Sequence, residues 1–266
     1  MRIQKVSAGR GASWLNESMV LLKTGGKAVW VPALLIGILS SLPVVGAILG
    51  LLMIFFYAGL VLCFDKPSGG YTVFSGFSDG GFVRLLPLIA LNIALAVVAA
   101  MAIWPSMKPV FEATMNGLQP TYDEAMKMVV GLAKHLIWLI PVGIFLSWIT
   151  QFAVPLASLR KVSGGESIKL ALSAISANIP ALIVNFICLL VVVFLVCIVL
   201  MIPIALVGAA FAGNPMLKSL FEIPLTALLS AILIALMCGN MLYAYRDVFE
   251  QEPEQAVTPN NSEVLF

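Results

Sequence analysis

Charged residues are scarce in this chain. Only 11% of its 266 residues are Asp, Glu, Lys or Arg, and its net charge is only +2. This scarcity excludes a soluble globular protein, and the lack of a basic patch argues against a nucleic-acid partner. The start of the chain also lacks the apolar stretch of a signal peptide, since Arg2 and Lys5 precede Gly9, Arg10 and Gly11. We therefore expect a membrane-inserted protein from which no leader is cleaved.

Hydrophobic residues make up 61% of the chain and are gathered into long runs. Runs of this length predict an all-α polytopic membrane protein with about six transmembrane helices in three hairpins. The predicted spans are residues 28–42, 44–64, 85–104, 135–157, 179–203 and 224–245. The first two are joined at Ser40-Ser41-Leu42-Pro43, and the first is so short that a re-entrant hairpin is an alternative to two full spans.

The charged flanks complete the predicted domain organisation. Residues 1–27 are expected to form a cytoplasmic N-terminus with an interfacial helix, residues 28–246 the membrane domain, and residues 247–266 an acidic cytoplasmic tail. Residues 263–266 resemble the first part of a viral protease recognition site used in tag removal, so we expect a tag remnant there. Aromatic residues at the ends of the apolar runs are expected to anchor the helices at the headgroups. These anchors are Trp14, Trp104, Tyr243 and Tyr245.

Two S/T-x-x-E patterns predict where helices begin. Thr121 with Glu124 and Ser163 with Glu166 have the spacing of a capping box, in which each side chain bonds the backbone N–H of the other. The second box should start an amphipathic helix over residues 166–178 that lies along the membrane surface. Prolines predict helix ends, with Pro105 closing the third span and Pro203 bending or ending the fifth.

Lys and Arg are distributed unequally between the two predicted sides. Eleven would face the side of the termini, and four (Lys108, Lys127, Lys134 and Lys218) would face the other. Because cytoplasmic loops carry the excess of Lys and Arg, both termini are predicted to be cytoplasmic.

Four amides are the strongly polar side chains within the predicted spans. They are Asn92, Gln151, Asn185 and Asn240. Such amides either bond across helix contacts or line a solute path, and we expect packing to be their main role. The spans hold no Asp, Glu, Lys or Arg, and no spacing of Cys or His suggests a metal site, so no catalytic residue, metal or cofactor is predicted.

Several motifs of the chain are similar to those of a known family. They are Val154-Pro155-Leu156, the amphipathic stretch 166–178, Asn178-Ile179-Pro180, the closing Tyr243-Ala244-Tyr245-Arg246-Asp247-Val248-Phe249 and the opening Gly9-Arg10-Gly11-Ala12-Ser13-Trp14-Leu15. With these motifs the chain resembles the YciC-like group of polytopic inner-membrane proteins of Proteobacteria. The resemblance implies about six helices in a bacterial inner membrane. Members of this group have no established activity, so the resemblance transfers no catalytic residues.

Three functions are compatible with these features. The first is a non-enzymatic protein that binds an envelope protein, a membrane lipid or a second copy of itself. The second is a small-solute or lipid transporter that uses the four amides. An intramembrane enzyme comes third, because ionisable groups are missing from the spans.

Overall fold

A computed structural model describes residues 2–117, 119 and 121–250. Within this part the chain is all-α, with seven α-helices, one short 3-10 helix and no strands. The α-helices are α1 (Arg10–Thr24), α2 (Gly26–Ser41), α3 (Pro43–Asp65), α4 (Gly81–Met115), α5 (Tyr122–Leu159), α6 (Gly164–Ala210) and α7 (Pro215–Phe249). The 3-10 helix, Val73–Phe77, lies in the connection between α3 and α4. The predicted tag remnant at 263–266 and most of the predicted tail fall outside the described residues.

Five of these helices contain stretches long and apolar enough to cross a membrane. They are α3 to α7, and a sixth span is counted only if α1 and α2, bent by 99° at Gly25, form one broken span. The all-α character predicted from the sequence is thus confirmed, and the five long apolar helices are consistent with a multi-pass membrane protein. Helix α2 has only 16 residues, a length of about 24 Å, which is shorter than a hydrocarbon core of about 30 Å.

The turn and cap predictions have mixed outcomes. The first turn is confirmed, because α2 ends at Ser41 and Pro43 is the first residue of α3. The Thr121 capping box is also confirmed, with the Glu124 N–H donating to Thr121 Oγ1 over 3.3 Å and the Thr121 N–H donating to Glu124 Oε2 over 2.8 Å. The second box is wrong, because Ser163 occupies the N-cap position of α6 without a side-chain cap bond.

Prolines do not end the long helices where we predicted. Helix α4 continues through Pro105 to Met115, and α6 continues through Pro203 to Ala210. A proline removes one backbone hydrogen bond, and a membrane helix accommodates this loss because its neighbours and local backbone adjustments satisfy the freed group. The distortion in α6 lies instead at Asn178, whose φ of −127° and ψ of 22° are non-helical, two residues before Pro180. Asn178 therefore separates the predicted surface helix from the span that follows.

The buried core lies at one end of the helices, which we call the packed end. It contains the N-terminal segment, α1, the end of α5, the first turns of α6 and the end of α7. At the opposite end, which we call the open end, α4, α5 and α6 carry many exposed apolar side chains. The packed end also holds the loops that were predicted to be cytoplasmic, so the main buried cluster lies on that predicted side.

The predicted aromatic anchors separate into two groups. Trp14 and Tyr245 are fully buried at the packed end, so the prediction that they face the headgroups is wrong. Both lie on helices that pack against each other, α1 and α7, and their polar atoms bond to neighbouring side chains within the protein. Trp104 is exposed on α4, and Tyr243 is half-buried. Trp104 and Tyr243 thus remain candidates for the anchoring role.

Candidate functional site: a charged cavity at the packed end

The four predicted amides do not come together at one site. Asn92 is half-buried and donates through Nδ2 to the Leu88 carbonyl of its own helix over 2.8 Å. It lines a cavity of about 460 Å³ between α3, α4, α5 and α7, whose walls do not include the other three amides. Gln151, Asn185 and Asn240 are buried. Convergence on one site was the expectation of the transport alternative, and the register between helices, which decides it, is a property of their packing.

Nor do the three buried amides form the cross-helix bonds that we expected. Gln151 Nε2, Asn185 Oδ1 and Asn240 Oδ1 lie away from solvent and have no hydrogen-bond partner in the described part of the chain. Leaving a polar group unpaired in an apolar environment costs free energy, so packing alone does not explain these side chains. Within the described part of the chain, the amides form neither the cross-helix bonds expected for packing nor the shared cavity expected for a solute path.

A different cavity collects the charged residues of the packed end. This cavity, which we call the rim cavity, has a volume of about 530 Å³ and lies where α3 and α5 end and α4 begins. The 3-10 helix with its flanking residues, the turn after α5 and the first residue after α7 also contribute to its walls. Its charged lining residues are Asp65, Lys66, Asp79, Arg84, Arg160, Lys161 and Glu250.

The backbone around the rim cavity is unusual at two positions. Asp79 has a φ of 52° and Lys161 a φ of 55°, and these are the non-glycine residues with positive φ in the described chain. A left-handed backbone brings Cβ close to the following carbonyl, so each position costs of order 1 kcal/mol. Lys161 lies in the short turn between α5 and α6, and Asp79 precedes α4. The fold thus keeps two charged residues of the cavity in less favourable conformations.

Some charges of the rim cavity are already paired. Arg246 Nη2 lies 2.6 Å from Asp65 Oδ1, which neutralises that carboxylate. Arg160 Nε–H donates to the Tyr245 hydroxyl over 2.8 Å, and Arg160 Nη2 lies 3.4 Å from Glu250 Oε1. The hydrogen bond to Tyr245 raises the pKa of Arg160 above its ordinary value, so this guanidinium keeps its charge.

The remaining charges of the rim cavity are mostly positive. Lys66 and Lys161 are exposed, and neither forms an ion pair with a described residue. Arg84 donates through Nε to the Ala157 carbonyl over 3.0 Å, a neutral partner that holds the guanidinium in place and leaves its charge uncompensated. Against these cations stands Asp79 alone among the unpaired lining carboxylates. The cavity therefore favours an anion.

A second polar network, at the packed end, joins α1 to α7. The Asp247 carboxylate accepts a hydrogen bond from Trp14 Nε1 over 2.7 Å and one from Arg10 Nε over 2.6 Å. Asp247 is 4% exposed and lies within α7, whereas the sequence analysis placed it at the start of an exposed acidic tail. The predicted boundary at residue 247 is therefore wrong by a turn of helix.

The N-terminal segment is part of the same assembly. The Val6 N–H donates to Asn178 Oδ1 over 2.8 Å, and Asn178 Nδ2 donates to the Gln4 carbonyl over 3.0 Å. The Gln4 N–H in turn donates to the Val248 carbonyl over 3.0 Å. The side-chain amide of Asn178 thus pairs with backbone groups of the N-terminal segment, accepting one hydrogen bond and donating another, as a backbone peptide group does. This pairing explains why a polar residue lies at a kink between two apolar helical stretches.

Sequence reasoning missed the rim cavity, although the signal was present. Lys66, Arg84, Arg160 and Lys161 were used only to orient the chain. The packing of the helices brings together the connection between α3 and α4, which contains the 3-10 helix, and the short turn between α5 and α6.

Comparison with known proteins adds no relative from which a site could be transferred. No family model matches the chain, and no curated protein or solved structure shows significant similarity to it. The resemblance to the YciC-like group therefore stays a prediction, and any functional conclusion depends on the structure itself.

Proposed function

We propose that this protein is a non-enzymatic, multi-pass protein of the bacterial inner membrane that binds an anionic phospholipid in the rim cavity. The observation that carries the proposal is the uncompensated positive charge of Lys66, Arg84 and Lys161 around a cavity at the ends of apolar helices. Both termini are cytoplasmic in this proposal, which places the rim cavity at the cytoplasmic leaflet.

The position and size of the rim cavity support a lipid headgroup as the ligand. Helices α3, α4 and α5 are apolar enough to lie in a membrane, and the cavity lies at the ends of these helices, where the proposal puts the membrane surface. Anionic headgroups are concentrated at that level, and basic side chains near the surface attract them. The volume of about 530 Å³ is within the range of small-molecule sites. These features favour a membrane lipid over an envelope protein or a second copy of the chain as the partner.

A transporter remains the second candidate, and one observation favours it. The cavity of about 460 Å³ lies midway along α3, α4 and α5, where Asn92, Tyr57 and Thr150 contribute polar groups. The Thr150 hydroxyl donates to the Leu146 carbonyl, so part of this polarity is already used within the helix. We rank transport second because Gln151, Asn185 and Asn240, predicted to share such a path, lie outside this cavity.

Removing the two free lysines of the rim cavity is expected to weaken lipid binding. The double variant Lys66→Gln, Lys161→Asn should raise the Kd for phosphatidylglycerol about 30-fold, since each basic side chain near anionic headgroups contributes about 1 kcal/mol. Asparagine is chosen at position 161 because it tolerates the left-handed backbone there. The measurement is native mass spectrometry of the delipidated protein in detergent, titrated with phosphatidylglycerol and with phosphatidylcholine of the same chains.

The matched control removes two exposed lysines from the same side of the protein but outside the cavity. The variant Lys23→Gln, Lys169→Gln has the same net charge and should bind phosphatidylglycerol as the wild type does. If both double variants lose affinity equally, only general surface charge attracts the lipid, and the rim cavity is not its site. If the wild type does not prefer phosphatidylglycerol to phosphatidylcholine, the proposed function is wrong.

The orientation of the chain is tested separately. A reporter active only in the cytoplasm, fused after Glu250, should be active, and the same reporter inserted after Gly117 between α4 and α5 should be inactive. The reason is the excess of Lys and Arg at the packed end. Activity only at Gly117 would reverse the orientation and place the rim cavity at the periplasmic leaflet.

A further inference from the structure

A second concave surface lies beside the rim cavity, and it differs in chemistry. This surface, which we call the lateral groove, has a volume of about 690 Å³ between α2, the end of α3 and the 3-10 helix. Its α2 wall presents Lys27, Val31 and Leu35, and Phe74 of the 3-10 helix faces them. Val31 is 61% exposed, so the groove is open where a membrane would surround it.

The polarity of the lateral groove changes along its length. Lys27, Val31 and Leu35 are four residues apart, which aligns them on one face of α2 over about 12 Å. The basic residue lies at the packed end of this face, and the apolar residues follow toward the interior of the membrane. This gradient matches that of a phospholipid, in which an anionic phosphate is joined to apolar chains.

Tyr71 connects the lateral groove with the rim cavity. It lines both, so the connection between α3 and α4 forms a shared wall between a cationic cavity and an apolar groove. Tyr71 is 38% exposed, so part of this residue is accessible to a ligand. A molecule that crosses this ring would have one end among Lys66, Arg84 and Lys161 and the other against Val31 and Phe74.

We infer that a single diacyl phospholipid occupies both surfaces, with its headgroup in the rim cavity and an acyl chain over Tyr71 in the lateral groove. This inference rests on the proposed function and deepens it, because it makes the ligand an intact lipid and not a soluble phosphate compound. We assign an acyl chain to the lateral groove for two reasons. The groove has a basic residue, Lys27, at its packed end, and it is continuous with the cationic rim cavity at Tyr71.

Filling the lateral groove is expected to weaken binding of the whole lipid without changing the headgroup site. The variant Val31→Trp should raise the Kd for dioleoyl phosphatidylglycerol about tenfold. The larger side chain displaces part of the acyl chain from the groove, and losing the burial of about two methylene groups weakens binding by roughly this factor. The variant Leu35→Trp, one turn further along the groove, should do the same and provides a second test if the first is poorly folded. The matched control is Ile187→Trp, since Ile187 is an exposed apolar residue of α6 that lines neither the lateral groove nor the rim cavity.

The soluble headgroup analogue glycerol 1-phosphate distinguishes the two proposals. It should bind the wild type and Val31→Trp equally, and more weakly than the lipid does. If the Trp variants bind the lipid as the wild type does while the lysine variant does not, the joint site is wrong and the proposed function stands. If glycerol 1-phosphate binds as tightly as the lipid, the ligand is a soluble phosphate and the inference is overturned. If the lysine variant binds the lipid normally, the proposed function itself fails, whatever the Trp variants do.

Discussion

Replacing Asp247 with alanine is expected to lower the free energy of unfolding by about 3 kcal/mol, within the range measured for breaking buried ion pairs. The carboxylate is 4% exposed and accepts hydrogen bonds from both Trp14 and Arg10. Without it, the Trp14 indole N–H is buried with no acceptor and the Arg10 guanidinium loses its closest anion. A thermal unfolding series in detergent, followed by intrinsic fluorescence, measures the loss.

A surface ion pair provides the control for this variant. Lys218 and Glu222 are 3.9 Å apart at the open end, on successive turns of α7, and both are partly exposed. Replacing Glu222 with glutamine should change stability by at most about 0.5 kcal/mol, as for other exposed pairs of this spacing. An equal effect of the two substitutions would show that the contact of Asp247 with α1 contributes nothing special to the fold.

Adding one methyl group at Gly11 should also destabilise the protein strongly. A Cβ built there meets the carbonyl oxygen of Ala181 and lies 2.8 Å from the backbone nitrogen of Asn185. Both are backbone atoms of α6, so α1 must move away from α6 to admit the methyl group. We expect Gly11→Ala to cost about 1–3 kcal/mol, the usual range for overpacking. Larger side chains at this position should prevent folding.

Gly50 supplies the matched control, because it lies in a helix with nothing within 4 Å of its added Cβ. Gly50→Ala should leave stability unchanged or raise it by up to about 1 kcal/mol, the difference in helix propensity. If Gly11→Ala proved as harmless, the close contact of α1 with α6 would be incorrect. The GxxxG pattern of Gly46 and Gly50 in the sequence does not make a helix contact through Gly50 in the described structure.

The sequence predicted the parts of the fold that depend on local chemistry. The turn at Pro43 and the Thr121 cap follow from backbone geometry and from side chains three residues apart, and both are present. The apolar runs predicted the helices because their length exceeds what a soluble core requires. The prediction that helices end at Pro105 and Pro203 was wrong. Tertiary packing keeps a helix continuous at a proline where an isolated helix would break.

Features that depend on contacts between distant residues could not be predicted in this way. Trp14 has the sequence signature of a membrane anchor, but residues distant in the chain bury it, and Asp247, 233 residues later, accepts its indole hydrogen bond. The rim cavity has the same origin, since Lys66 and Lys161 lie in different loops that helix pairing brings together. The amides do not form the cross-helix bonds that we expected, and the reason is the same, because helix packing decides which polar side chains meet.

The bonds between the two ends of the chain determine when this protein can finish folding during synthesis. Arg10 and its partner Asp247 are 237 residues apart, so at ribosomal rates of about 5–20 residues per second α1 waits on the order of tens of seconds for the last turn of α7. Throughout that interval the face of α1 that carries Trp14 lacks its final neighbour. The bonds of Asp247 to Arg10 and Trp14 therefore form only after the last helix has been synthesised.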